Sequence, residues 1–362
     1  MPSRIRQLLP LLLIGFLASG CAWSEKWFKK KDKVDNTQLA KVGVQEDEQQ
    51  KFAVQEVPLA EAPKVAVAPP VKPARAGVKK SPVKKTPPAV APEVKKAVTS
   101  AAVVVTPGFS YPADFPEELK KLDEKAALTW AQFKPRLRVD EKMFLDVDYL
   151  GMTVGKVVLS YRGLKSMSSK PVHHFQAYFK SAPFYSAIYE LDDHLDTYVD
   201  QEKFVGLRYN LVQRESKQDV DEVQLYDREQ LFTHAYQKQV RDGKAKDRKW
   251  KGPIPRYSID PLSVLWLIRG MPLKTGDAYV FPVVNKGKVL VLDATVEARE
   301  KIKTKLGEFN TIRVKAHTVY TGKTLKSGDM TFWLSDDDSR RLLRAQAKIK
   351  IGSVYAEAVK GE

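Results

Sequence analysis

Lysine and arginine crowd residues 238–251, where Lys238, Arg241, Lys244, Lys246, Arg248, Lys249 and Lys251 surround Trp250. Cations interleaved with an aromatic ring can hold an anionic group, the charges attracting it and the ring covering its apolar part. A nucleic acid, an acidic lipid headgroup, lipopolysaccharide or a cell-wall polymer fits that chemistry, and a plain solvated loop explains the same residues. His173 and His174 are adjacent, so on a strand they point to opposite faces and cannot chelate one metal ion. Asp336, Asp337 and Asp338 lack the spaced ligands and glycine of a calcium loop. They read as a polar turn answered by Arg340 and Arg341, and Asp192 with Asp193 reads the same way. No G-x-S-x-G, P-loop, H-E-x-x-H or dinucleotide fingerprint occurs, so no catalytic residue, metal or cofactor is expected.

The single cysteine, Cys21, excludes an intramolecular disulfide framework and a multi-cysteine zinc site. It follows the basic residues Arg4 and Arg6, the apolar run Leu8–Leu17 and the small residues Ala18, Ser19 and Gly20. That order is the anatomy of a secretory signal, and the run is too short to span a bilayer. The cysteine directly after the small residues resembles the lipobox of bacterial lipoproteins. The resemblance implies cleavage after residue 20, lipidation of Cys21 and a stable membrane anchor from several acyl chains. Ala22 in the next position implies the outer membrane, with the body facing the periplasm.

Residues 21–110 read as a lipid-anchored tether. Trp23, Trp27 and Phe28 beside Lys26, Lys29, Lys30, Lys31 and Lys33 suit a membrane interface or a solvated run. Residues 36–57 are polar with weak helical potential. Nine of the 22 prolines fall between Pro58 and Pro92, among alanine, valine and lysine. Such a chain favours extended polyproline II at about 3.1 Å per residue, a spacer reaching on the order of 150 Å. The net charge of +17 favours anionic surroundings.

Residues 111–362 hold enough apolar side chains for one large domain. Asp114 and Pro116 signal a helix start, and Leu119, Leu122, Ala126, Trp130 and Phe133 recur at helical spacing before Pro135. The period then falls to two. Short strands are expected from Met143 to Tyr149, Lys156 to Tyr161 and Val172 to Phe179, then at intervals to Val359. Asp260, Pro261 and Gly270 bracket an eight-residue helix apolar on nearly every side, which must be buried. The fold class is therefore all-β: a mainly antiparallel curved sheet, β-roll or barrel-like, with one amphipathic N-terminal helix, one buried helix and a long disordered N-terminal linker.

Five segments resemble, in order, an exported bacterial family catalogued as domain of unknown function 3108. They are Leu145–Tyr161 (LDVDYLGMTVGKVVLSY), Asp260–Arg269 (DPLSVLWLIR), Thr275–Val284 (TGDAYVFPVV), Gly307–Lys315 (GEFNTIRVK) and Phe332–Arg344 (FWLSDDDSRRLLR). The resemblance spans residues 140–360, implies a β-rich roll in the cell envelope and brings no catalytic residue with it. Anchor, spacer and curled sheet together suggest a membrane-anchored lipoprotein whose monomeric β-roll binds a hydrophobic or anionic envelope component, or supports envelope assembly. A cell-wall or protein scaffold acting through the basic tether is the alternative, with an envelope-polymer hydrolase behind it. Expected partners are the membrane through Cys21 and an anionic lipid, lipopolysaccharide or peptidoglycan through Lys244, Lys246, Arg248, Lys249, Trp250 and Lys251, with no nucleic acid.

Overall fold

The computed structural model describes residues 34–57, 109–187, 189–320, 323–349 and 352–361. The signal, Cys21 and the proline-rich run lie outside the described residues. Two short helices, α1 (Thr37–Lys41) and α2 (Glu46–Phe52), lead into strand β1 (Val54–Glu56), and helix α3 spans Glu117–Trp130. Strands β2 (Lys142–Tyr149), β3 (Met152–Met167) and β4 (Lys170–Ser181) precede the one-turn helix α4 (Pro183–Ser186). Then come β5 (Asp192–Asp200), β6 (Gly206–Glu215), β7 (Gln218–Asp227), β8 (Phe232–Arg241) and β9 (Lys244–Pro253). Helix α5 (Val264–Arg269) separates these from β10 (Ala278–Asn285), β11 (Lys288–Thr304), β12 (Gly307–Tyr320), β13 (Lys323–Ser335), β14 (Leu342–Lys348) and β15 (Ser353–Val359).

Among the described residues these strands form one antiparallel sheet in the order β10-β11-β12-β13-β14-β15-β2-β3-β4-β5-β6-β7-β8-β9, with β1 added to β3. The first and last strands meet as the sheet curls. A Cβ at Gly252 of β9 would stand 2.7 Å from the Gly287 carbonyl oxygen in the β10–β11 turn, so the two edges approach as closely as glycine allows. The segment after β9 fills the remaining seam. Ile259 bonds to Pro282 and Val284 of β10, and the Ser258 carbonyl accepts from the Gly206 amide. Arg228 donates to the carbonyl of Gly206 (2.7 Å) and to the hydroxyl of Ser258 (2.8 Å), fastening the seam.

The apolar faces converge on α5. Met143, Leu145 and Val147, then Phe175 and Ala177, then Ile312, Val314 and Ala316 alternate inward and are buried with Trp266, Leu267 and Ile268. Trp266 stacks on Phe175 at 4.4 Å. Asp260 accepts the amides of Leu262 and Ser263, both at 2.9 Å, in the turn that leads into α5, whose N-cap is Ser263 and not Asp260. Burial pushes the Asp260 carboxyl up to about 6, against those hydrogen bonds. Helix α3 lies beside the edge strand β10, where Thr129 accepts the Val280 amide at 3.1 Å, a group the edge would otherwise leave unpaired. Pro116, not Asp114, is the N-cap, and no side chain caps this helix. Asp114 stands outside the cap position and is exposed.

Residues 34–57 depart from the tether expectation. Leu39, Val42, Val44, Phe52 and Val54 bury themselves against Val172, Tyr198, Val223, Leu225 and Tyr236 on the outer face of β4–β8. Strand β1 pairs with Lys165, Ser166 and Met167 of β3. The guanidinium of Arg208, fully buried, donates to the carbonyls of Asp35 (2.8 Å) and Phe52 (3.1 Å) and to Asn36 Oδ1 (2.7 Å). Glu48 accepts from Tyr236 (2.6 Å) and touches His234, and Lys41 pairs with Asp221 at 2.9 Å. Buried leucine, valine and phenylalanine outweigh the polar average of this stretch. Residues 34–57 are therefore part of the folded body.

Candidate functional site

The cationic cluster that the sequence suggested as a loop or anionic contact folds as strand β9, the last strand of the sheet. Its period of two divides the candidate residues. Lys249 pairs with Tyr236 and Lys251 with His234, which puts both on the outer face. Arg248 pairs with Gln237, Trp250 with Ala235, Lys246 with Gln239 and Lys244 with Arg241, which puts these four on the inner, concave face. Lys249 also lies over the Tyr236 ring at 5.2 Å. Among the described residues, Lys244, Lys246, Arg248, Lys249 and Lys251 form no ion pair with a carboxylate. Lysine on an edge strand also deters strand addition by another chain, so charge alone does not define a site.

The inner face behind β9 does. Arg248 Nη1 donates to Gln237 Oε1 (2.7 Å) and to Gln239 Oε1 (2.8 Å). Gln237 Nε2 donates to Glu222 Oε2 (2.7 Å), which also pairs with Lys286 at 3.2 Å. Gln239 Nε2 donates to Gln218 Oε1 (2.7 Å), and Gln218 to Glu215 Oε2 (3.0 Å). Gln213 links Glu215 (3.0 Å) to Asp193 (3.1 Å). One unbroken chain of side-chain hydrogen bonds thus crosses β9, β8, β7, β6 and β5. Burial pushes the Asp193 carboxyl up to about 7, against the Gln213 bond, and the Glu215 charge adds to the rise. Asp193 is part of a strand with its side chain inward, not part of the polar turn expected from sequence.

This arrangement fixes Arg248 through one nitrogen. The two glutamine oxygens orient the guanidinium plane, while Nε and Nη2 have no protein partner among the described residues. A planar fork held with two donors free matches a carboxylate or phosphate edge. Trp250, half-buried on the same face, supplies an apolar wall beneath the Lys286 ammonium, 5.9 Å from its ring. Such a fork could hold and orient an anionic group.

The other candidates resolve as structure. His173 points inward, its Nδ1 2.9 Å from the Tyr161 hydroxyl, and burial lowers its pKa to about 4. His174 points outward, stacks on Tyr198 at 4.6 Å and donates Nε2 to Asp196 (2.7 Å). Burial raises Asp196, but His194 and His174 outweigh it and hold the carboxyl well below the usual range. Asp337 forms the expected turn, accepting from Ser335, Ser339 and Arg340. Its neighbours pair with Arg299 and Arg136, not with Arg340 and Arg341. The sequence reading missed Gln213, Glu215, Gln218, Glu222, Gln237 and Gln239. Their signal was polar residues at the inward positions of strands otherwise apolar inside.

A single antiparallel sheet curled round its own helix defines a β-barrel-like domain. The chain belongs to the family of proteins of unknown function DUF3108, whose model matches residues 145–359. No curated protein matches the sequence. Similar solved structures include a β-barrel-like protein of domain of unknown function DUF1849 from Brucella abortus, 12% identical over 63% of this chain and 98% of that chain, with a TM-score of 0.42. An exported-protein candidate with a YmcC-like fold from Bacteroides fragilis is 10% identical over 63% and 97% of the chains, with a TM-score of 0.28. A lipoprotein candidate from Parabacteroides distasonis gives the same identity, coverage and TM-score.

Proposed function

We propose that the protein is a lipid-anchored envelope protein, moored in the outer membrane through Cys21 and facing the periplasm, whose barrel-like domain binds an anionic envelope component along β9. The observation that carries this reading is Arg248, held by Gln237 and Gln239 through Nη1 with its other donors free. The unpaired lysines on either side raise the local concentration of anions. An apolar cargo inside the sheet is the weaker reading, because the chain's own α5, with Trp266 against Phe175, occupies the region where the apolar faces converge. Anion binding is tested with the mature chain carrying Cys21→Ser, titrated with lipopolysaccharide and with soluble peptidoglycan fragments. Arg248→Lys keeps the charge but removes the planar fork. It is expected to weaken binding about tenfold, the loss of roughly one good charge-assisted hydrogen bond. Equal affinity in parent and variant, or no binding of either anion, would refute the assignment.

A further inference from the structure

The antiparallel order places the turns β2–β3, β4–β5, β6–β7, β8–β9 and β14–β15 at one end of the sheet. Contacts join them into a continuous rim. The Leu150 side chain lies near Gly352, Ala182 donates its amide to the Val154 carbonyl, Glu190 bonds to Ser216, and Gln218 pairs with Arg241. Among the described residues eight large apolar side chains are exposed, and five of them, Leu150, Met152, Phe184, Val240 and Tyr355, stand at this end. Leu150 and Phe184 are the most exposed, at 67% and 63%. Leu150 also adopts φ +49° beside Gly151 at φ +81°. Those are the two central positions of a hairpin turn, where asparagine or aspartate followed by glycine is the stable choice. Leucine there costs conformational energy and gains no burial within the chain. Between these turns stand Lys217, Arg241, Lys244 and Lys348; among the described residues only Arg241 of these four pairs with a carboxylate, Asp242 at 3.6 Å.

We infer that this end of the barrel docks on an anionic phospholipid surface, with Leu150, Met152 and Phe184 entering the headgroup region and the surrounding cations meeting lipid phosphates. Apolar tips among lysines are the combination a charged bilayer interface selects. Chain length agrees. Residues 22–33, fully extended, span at most ~45 Å. That exceeds the ~33 Å length of a ten-residue strand such as β6. A lipid on Cys21 can therefore sit in the leaflet on which the rim rests. The inference deepens the envelope assignment by naming one anionic partner, but it uses residues other than Arg248.

The test is co-sedimentation of the mature Cys21→Ser chain with phosphatidylcholine vesicles, with and without phosphatidylglycerol. The parent is expected to bind the phosphatidylglycerol vesicles, and the Leu150→Asn, Met152→Ser, Phe184→Ser variant at least ~10-fold more weakly. Leu150→Asn alone is expected to raise thermal stability while lowering vesicle binding, which separates docking from folding. Leu150→Trp reports insertion as a blue-shifted emission on phosphatidylglycerol vesicles. Val139→Ser, equally exposed elsewhere, serves as the unaltered control. Parent-like binding by the triple variant, no blue shift, or no binding by the parent would overturn the inference. If Arg248→Lys alone abolishes vesicle binding and the triple variant does not, the anion site survives and the docking rim falls.

Discussion

The two faces of β4–β8 obey the same alternation and are buried for different reasons. The inner face carries Phe175, Leu195 and Leu211, which close on α5 as an ordinary apolar core. The outer face carries His174, Gln176, Asp196 and Arg208, the residues a solvent-facing side would have, yet each is buried. Around Arg208, Tyr198 and Val223 it is covered by residues 34–57, which bring backbone carbonyls to Arg208 and apolar side chains to Tyr198 and Val223. Polar residues at alternate strand positions therefore mark a face that needs hydrogen-bond partners. Water is one source of them, and a distant piece of chain is another.

The largest effect is expected on the inner face. Trp266→Ala removes a side chain with no exposed surface and is expected to cost about 3–5 kcal/mol in chemical denaturation, because the closed sheet cannot collapse onto the space. On the outer face, Arg208→Met leaves the Asp35 and Phe52 carbonyls of the covering segment without their donor, while Asn36 Oδ1 keeps the Val54 amide. A loss of roughly 2–4 kcal/mol is expected, with new protease cleavage within residues 34–57 as its signature. If denaturation shifts but cleavage does not, Arg208 supports the sheet and not the cover.

The polar part of the inner face gives a smaller, pH-dependent effect. In the folded chain Asp193 keeps its proton up to about pH 7, whereas the unfolded chain releases it near 4. Between those values the folded state binds more protons, so this group's contribution to stability falls as pH rises to 7 and is flat above. Asp193→Asn removes that loss. The variant is expected to gain on the order of 1–3 kcal/mol over the parent at pH 8 and to match it near pH 4, read by denaturation at several pH values. His173, lowered to about 4, acts in the opposite sense below pH 6.5 and is common to both proteins. Smallest of all, Lys246→Ser on exposed β9 is expected to change stability by no more than about 0.5 kcal/mol while weakening anion binding. A larger stability change would make β9 structural.

The strands were legible wherever inward residues were apolar. Met143, Leu145, Val147 and Tyr149 announce β2, and the bracket of Asp260 and Gly270 announces the region of α5. Strand β9 was hidden because neither of its faces is apolar: Lys244 to Lys251 reads as a charge run, and only pairing with β8 imposes the period. The candidate site was legible in part for the same reason. Arg248 and Trp250 stand out by type, but the glutamines that orient the guanidinium come from strands joined only by the register of β7, β8 and β9. The cover was hidden because its apolar residues are spread over two short helices and a three-residue strand. No element there is long enough to show a period, and its partners lie more than a hundred residues away.

Amide hydrogen exchange on the full chain tests the folded cover most directly. The amides of Val54, Gln55 and Glu56 are read beside those of Ser166 and Met167, their partners across the ladder. Slow exchange of both sets, lost together in Arg208→Met, is the predicted result. Exchange of 54–56 at the rate of a free peptide while β3 stays protected would contradict it and return residues 34–57 to the tether.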